Sequence, residues 1–175
     1  RKRYGLNVKS DEALVMWGRA ASPLIVDRTV VVPGGGPAGK AKNLAAFDLE
    51  TGKLAWESEN KLDNGAADQI AYASPALATL ADHRQILIVN ESTASGHDAT
   101  TGARLWSHPW PGHSNGDANS SQPVPIGDNR VLLSKGYSGG AELIEVLPGI
   151  SGQPFTTKTI WKFPRSLQTK FCNVV

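Results

Sequence analysis

Cysteine is almost missing from this chain of 175 residues: Cys172 stands alone, which excludes an internal disulfide. Charge imbalance is missing too. A formal net charge of +2 gives no electrostatic basis for binding nucleic acid or an anionic membrane. The one basic cluster, Arg1-Lys2-Arg3, reads as a loose terminus. No run of about 18 apolar residues occurs, so no helical membrane span is expected. Helical periodicity is thin. The best stretch for it, 38–59, is broken by Thr51-Gly52. No Gly-x-Ser-x-Gly elbow occurs, so no serine triad can be argued. What is present is ordinary for a folded domain. Apolar content of 40% against 19% charged excludes a disordered chain, and the length suffices for a real core.

The strongest positive signal is an internal repeat. Ala46-Phe47-Asp48-Leu49-Glu50-Thr51-Gly52-Lys53-Leu54-Ala55-Trp56 recurs as Gly96-His97-Asp98-Ala99-Thr100-Thr101-Gly102-Ala103-Arg104-Leu105-Trp106, 50 residues on. A period of that size marks a solenoid or a propeller. The chemistry of the motif is a hairpin. Asp48 and Asp98 can accept a hydrogen bond from a backbone N–H further on and fix a turn. Gly52 and Gly102 supply the positive φ that closes a longer loop. Trp56 and Trp106 are large apolar groups whose N–H needs a partner.

Around the motif each unit reads as four short strands separated by Gly, Pro and Asp. The units are expected at 22–57, 74–107 and 121–162, opening on Ser22-Pro23, Ser74-Pro75 and Ser121-Gln122-Pro123. In each, the fourth strand is expected to end at its tryptophan. The third unit loses the Asp-x-x-Thr-Gly turn to a longer loop, 147–154, yet keeps Trp161. Residues 1–21 are expected to be an N-terminal segment, the end of a preceding unit. Within them, Leu14-Val15-Met16-Trp17 has the look of a strand. Residues 170–175 are expected to open a next unit. The expected class is all-β, with three to three and a half antiparallel meanders in an incomplete propeller. Because propellers use four to eight blades, the chain is expected to be part of a longer protein or to pair with a second copy through its exposed blade ends.

The pattern Ala-x-Asp-x-x-Thr-Gly-x-x-x-Trp resembles the pyrroloquinoline-quinone-like propeller repeats of quinoprotein dehydrogenases and BamB-like proteins. Residues 46–56 match it in full, and 96–106 match apart from Gly96 in place of Ala. The resemblance implies blades whose motif tryptophan docks on the neighbouring blade. It also implies a periplasmic or secreted location. Function is expected to be binding or scaffolding of a protein partner, with no catalytic residue assigned and no cofactor expected. The competing implication is a dehydrogenase using the quinone with Ca²⁺. In that family an adjacent-cysteine disulfide, a Glu and Asn holding Ca²⁺ and a catalytic Asp serve the reaction. This chain has no adjacent cysteines, and Asn90-Glu91 at the end of an apolar strand is the one place suggestive of a ligand.

Three further features remain. Gly34-Gly35-Gly36-Pro37-Ala38-Gly39-Lys40 satisfies Gly-x-x-x-x-Gly-Lys, which would cradle phosphates ahead of a helix. Ala41 follows where a Ser or Thr would meet Mg²⁺, and Pro37 removes an N–H, so an inter-strand loop is expected instead. His108, His113 and Asp117 share one loop, in a spacing that matches no named metal site. That loop is expected to be exposed, with Trp110 between two prolines as a contact surface together with His108 and His113. Cys172 is expected in the core.

Overall fold

The computed structural model describes residues 17–35, 42–66, 68–113, 116–150 and 154–174. Most of the expected N-terminal segment and of the Gly34–Lys40 loop lies outside them. Among the described residues there is no helix, and so none long and apolar enough to cross a membrane. Twelve strands form three four-stranded antiparallel sheets, each in sequence order. The first contains β1 (Leu24–Val26), β2 (Thr29–Gly35), β3 (Lys42–Asp48) and β4 (Leu54–Glu59). The second contains β5 (Ala76–Leu80), β6 (His83–Val89), β7 (Thr93–Asp98) and β8 (Arg104–Pro109). The third contains β9 (Val124–Ile126), β10 (Arg130–Lys135), β11 (Gly140–Leu147) and β12 (Thr156–Phe163). Strand β3 follows the glycine-rich loop where a phosphate loop requires a helix.

First strands meet first strands: β1 lies against β5 and β5 against β9, while β8 lies against β12 further out. The sheets therefore stack face to face around their short first strands, as propeller blades do. Apolar residues on both faces of the middle strands follow from that stacking. Val26, Val31, Leu44 and Ala46 of blade 1 pack on Ile86 and Ile88 of blade 2. Leu87, Val89 and Trp106 of blade 2 pack on Val131, Leu133, Ile144 and Val146 of blade 3.

Each fourth strand runs past its tryptophan, to Glu59, Pro109 and Phe163, which corrects the expected ends. Pairing decides this: Trp56 lies opposite Ala46, Trp106 opposite Gly96 and Trp161 opposite Leu143, and the third strands offer further partners beyond. A register shift follows each of those partners, at Ala46/Phe47, Gly96/His97 and Leu143/Ile144. Blade 3 thus keeps the bulge and the tryptophan although its turn motif is gone. Trp17 lies in a turn rather than a strand and is exposed. Residues 164–174 contain no strand; Asn173 Oδ1 accepts the Gln122 N–H at 2.9 Å, just as Ser74 Oγ accepts that of Ser22.

Candidate functional site

The two ends of the blades differ in chemistry. One end carries the Asp-x-x-Thr-Gly turns. Asp48 Oδ1 accepts the N–H groups of Glu50 and Thr51 and the Thr51 hydroxyl, at 3.1, 2.7 and 2.7 Å. Asp98 Oδ1 does the same for Thr100 and Thr101, at 3.0, 2.7 and 2.8 Å. The backbone hydrogen bonds from Thr51 hold the Asp48 carboxyl below its ordinary range. At Asp98 burial works to raise it, but the bonds from Thr101 and His83 win and the carboxyl again titrates low. Gly52 and Gly102 close the turns at φ 71° and 75°. Oδ1 of each carboxylate serves its own turn, and Asp98 Oδ2 meets His83 Nε2 at 2.9 Å, so these acids hold the fold.

The motif tryptophans lock the blades. A Cβ on Gly102 would lie 2.7 Å from Trp56 Cζ3 and closer still to Cε3, so the ring of blade 1 rests on the glycine of the next blade's turn. Trp106 has no such glycine ahead of it, because blade 3 lacks the turn, and packs instead on Val131, Leu133 and Ile144. Its Nε1–H donates to Gln85 Oε1 at 2.7 Å, both groups buried. That bond passes over residue 96, where a Cβ would lie 2.6 Å from Gln85 Oε1 and closer to the indole. The departure of Gly96 from the repeat pattern follows from this crossing.

The loop expected as a contact surface comes apart. His108 belongs to β8, and its ring is buried, with Nε2 at 3.0 Å from Glu142 Oε1 and Nδ1 at 3.0 Å from Thr157 Oγ1. Burial works to raise the Glu142 carboxyl, but hydrogen bonds from Lys162, Thr159 and His108 outweigh it and hold it low. Trp110 is 3% exposed and fills the seam between blades 2 and 3, which corrects its reading as a surface aromatic. Its N–H donates to Ser92 O and its carbonyl accepts Asn119 Nδ2, bonds available only inside the structure. His113 alone stays exposed, 3.3 Å from Asp117 Oδ1. Asp117 also receives the buried Lys135 ammonium at 3.1 Å, which ties the linker to blade 3. Among the described residues no three His, Cys, Asp or Glu side chains converge on one point.

The other end of the blades carries the linkers that lead from each fourth strand to the next first strand. Behind them lies a buried amide network. Asn90 Nδ2 donates to Asn43 Oδ1 and Asn60 Oδ1, at 2.9 and 3.1 Å. Asn43 Nδ2 reaches the His97 ring, whose Nε2 lies 3.0 Å from Ser95 Oγ and whose Nδ1 donates to Gly102 O. Burial pushes the His97 pKa down to about 4. Asn90 therefore points inward, away from any surface ligand. The linkers converge on a cleft of about 560 Å³. Trp17, Tyr72, Tyr137 and Phe171 wall it, with Ser74, Ser120 and Asn173 between them. Cys172 also lines it and is exposed, which corrects its expected place in the core. Sequence reasoning missed Tyr72, Tyr137 and Phe171 because none lies in the repeat motif. The signal for Tyr72 was its position two residues ahead of Ser74-Pro75.

Three stacked, open, four-stranded meanders with a tryptophan lock define a segment of a β-propeller. A family profile described as outer membrane protein assembly factor BamB, of the pyrroloquinoline-quinone-like repeats, matches residues 8–160, and the chain belongs to that family. No curated protein matched the chain. Among solved structures it is similar to Hsv2 of Kluyveromyces lactis, at 10% identity and TM-score 0.55, covering 84% of this chain and 49% of that one. It is similar to quinohemoprotein alcohol dehydrogenase ADHIIG of Pseudomonas putida HK5, at 18% identity and TM-score 0.52, covering 84% of this chain and 20% of that one. BamB from Moraxella catarrhalis aligns at 19% identity and TM-score 0.47, over 82% of this chain and 37% of that one. The chain thus spans less than half the length of each of these three. The first two likenesses speak for the fold.

A quinone with Ca²⁺ was tested against the residues present. Among the described residues the cleft lining includes no carboxylate. Asp68, buried in the same linker as Tyr72, already accepts Gln69 N, Ser92 N and Thr93 Oγ1 at 2.9, 3.0 and 2.7 Å. Calcium takes six to eight oxygens, carboxylates prominent among them. The donor set of this cleft does not fit it.

Proposed function

We propose that the chain is a binding segment of a BamB-like propeller that works outside the cytoplasm and engages a protein partner through its linker end. One observation carries this reading: the linkers meet in a cleft walled by four aromatic rings, with no carboxylate, histidine or lysine in its lining among the described residues. Aromatic rings between small polar groups suit recognition. Of the side chains suited to general acid–base chemistry, Tyr72, Tyr137 and Cys172 are those that line the cleft among the described residues. The family description, an outer membrane assembly factor, supports the location.

The open side of blade 3 adds a second surface. Trp161 occupies the register that Trp56 and Trp106 hold in the other blades, and Phe163, two residues on, is exposed together with Ile126 and Ile160. For the 175-residue chain alone, a second copy is the proposed occupant, and light scattering at micromolar concentration is expected to report a dimer. A monomer with no dye-binding apolar surface would contradict this. The binding reading is tested by adding pyrroloquinoline quinone and Ca²⁺ and measuring thermal shift and dye reduction with an alcohol or a sugar. Neither response is expected; both together would overturn it in favour of a dehydrogenase.

A further inference from the structure

The polar side chains of the cleft are partly used, and their donors remain free. Ser74 Oγ accepts the backbone N–H of Ser22 at 2.9 Å, and Ser120 Oγ accepts that of Phe171 at 3.4 Å. Asn173 Oδ1 accepts the Gln122 N–H. What these side chains keep is two hydroxyl protons and one amide NH₂ as donors, beside the spare lone pairs of their oxygens. The rings around them are accessible. Trp17 and Phe171 are 73% and 77% exposed, and Tyr137 is 41% exposed. Lys170 marks one edge. Its ammonium lies 4.4 Å from the Tyr137 ring centroid and 5.5 Å from that of Phe171, with no carboxylate among the described residues paired to it.

A ligand for this surface needs apolar faces, free acceptors, few donors of its own and a negative charge at one end. A helix fails, because its carbonyls are consumed internally. An added strand fails, because it must donate as well as accept along a sheet edge. A neutral sugar would leave the Lys170 ammonium without a counter-charge. A polyproline-II segment fits. It has no internal hydrogen bonds, its carbonyls are free, and its prolines carry no N–H. Grooves walled by aromatic residues are the general receptor for it.

We infer that the cleft docks a proline-rich segment of a protein partner, with an acidic residue flanking the prolines to meet Lys170. This rests on the binding reading above and names its ligand. The probe is an acetylated synthetic peptide of six prolines flanked by aspartates. It is titrated into the chain with calorimetry and tryptophan fluorescence as readouts. Saturable binding is expected, falling as salt rises. An alanine peptide with the same flanks should bind about tenfold more weakly, since it must order its backbone on binding. Tyr137→Ala and Phe171→Ala should each cost about tenfold in affinity, as central aromatic contacts do. Both positions are exposed, so the variants should keep the parent's melting temperature, which is checked in parallel. Lys170→Ala should cost about threefold and flatten the salt dependence. Equal binding of the alanine peptide would overturn the proline ligand and leave the binding reading standing. Absence of any peptide binding would also overturn the proposal. Saturable binding of the quinone with Ca²⁺, lost in Tyr137→Ala, would overturn both.

Discussion

Replacing Gly96 by alanine restores the residue that the first repeat carries at Ala46, yet the structure demands that it destabilise. The new Cβ would lie 2.6 Å from Gln85 Oε1 and nearer to the Trp106 indole, against the 3.4–4 Å of ordinary contact. Neither neighbour has room to retreat. Gln85 is fully buried and Trp106 is 3% exposed, wedged against Val131, Leu133 and Ile144. Overpacking of this kind costs about 1–3 kcal/mol. If the indole gives way, the Nε1–Oε1 bond breaks and two buried polar groups lose their partners, at about 1–3 kcal/mol each. The expected loss is therefore about 2–5 kcal/mol, a large share of the roughly 5–15 kcal/mol that holds a domain together. Urea unfolding followed by circular dichroism measures it, read as a lower midpoint at unchanged slope. Trp106→Leu in the same chain removes the obstructing ring, so the double variant should lose less than the sum of the singles. A coupling of about 0.5–3 kcal/mol is expected for groups in contact. Gly96→Ala as stable as the parent would refute the reasoning. It would mean that Trp106 does not cross residue 96.

Three further outcomes are expected. Trp56→Ala empties the seat on Gly102 and should cost about 2–4 kcal/mol in the same unfolding experiment, just below the range for fully buried aromatics because the ring is half-buried. Trp110→Ala should cost about as much, because that ring fills the seam between blades 2 and 3; a neutral result would return it to the surface. The His97 ring takes a proton near pH 6.5 in the unfolded chain and near 4 in the folded one. The unfolded state thus binds more protons between those values, and stability should fall by about 3 kcal/mol as pH drops from 6.5 to 4. In His97→Phe that part of the slope should vanish; an unchanged slope would mean that other groups carry it.

Much of the architecture was legible because blade geometry writes itself locally. An Asp that caps its own turn, a glycine at positive φ and a tryptophan four residues later specify a hairpin within eleven residues. What was not legible depended on neighbours in space. Trp110 between two prolines reads as an exposed aromatic, and only the seam between blades 2 and 3 shows why it is buried. His108 reads as a loop residue, yet Glu142 and Thr157 of the next blade hold it. Gly96 reads as a lapse from the pattern, and its reason is a hydrogen bond between Trp106 and Gln85. The cleft was invisible for the same cause. Tyr72, Tyr137 and Phe171 are about 65 and 34 residues apart in sequence, and only stacking of the blades brings their rings together.

The account's central claim is that the linker end of the blades binds and the turn end only supports. Hydrogen exchange, measured on the chain alone, with the proline-rich peptide and with quinone plus Ca²⁺, tests it most directly. The account predicts that the peptide slows exchange in the linkers around Tyr72, Ser120 and Phe171, leaves the turns at Asp48–Gly52 and Asp98–Gly102 unchanged, and that quinone with Ca²⁺ slows nothing. Protection concentrated at those two turns, or protection by the quinone, would contradict it.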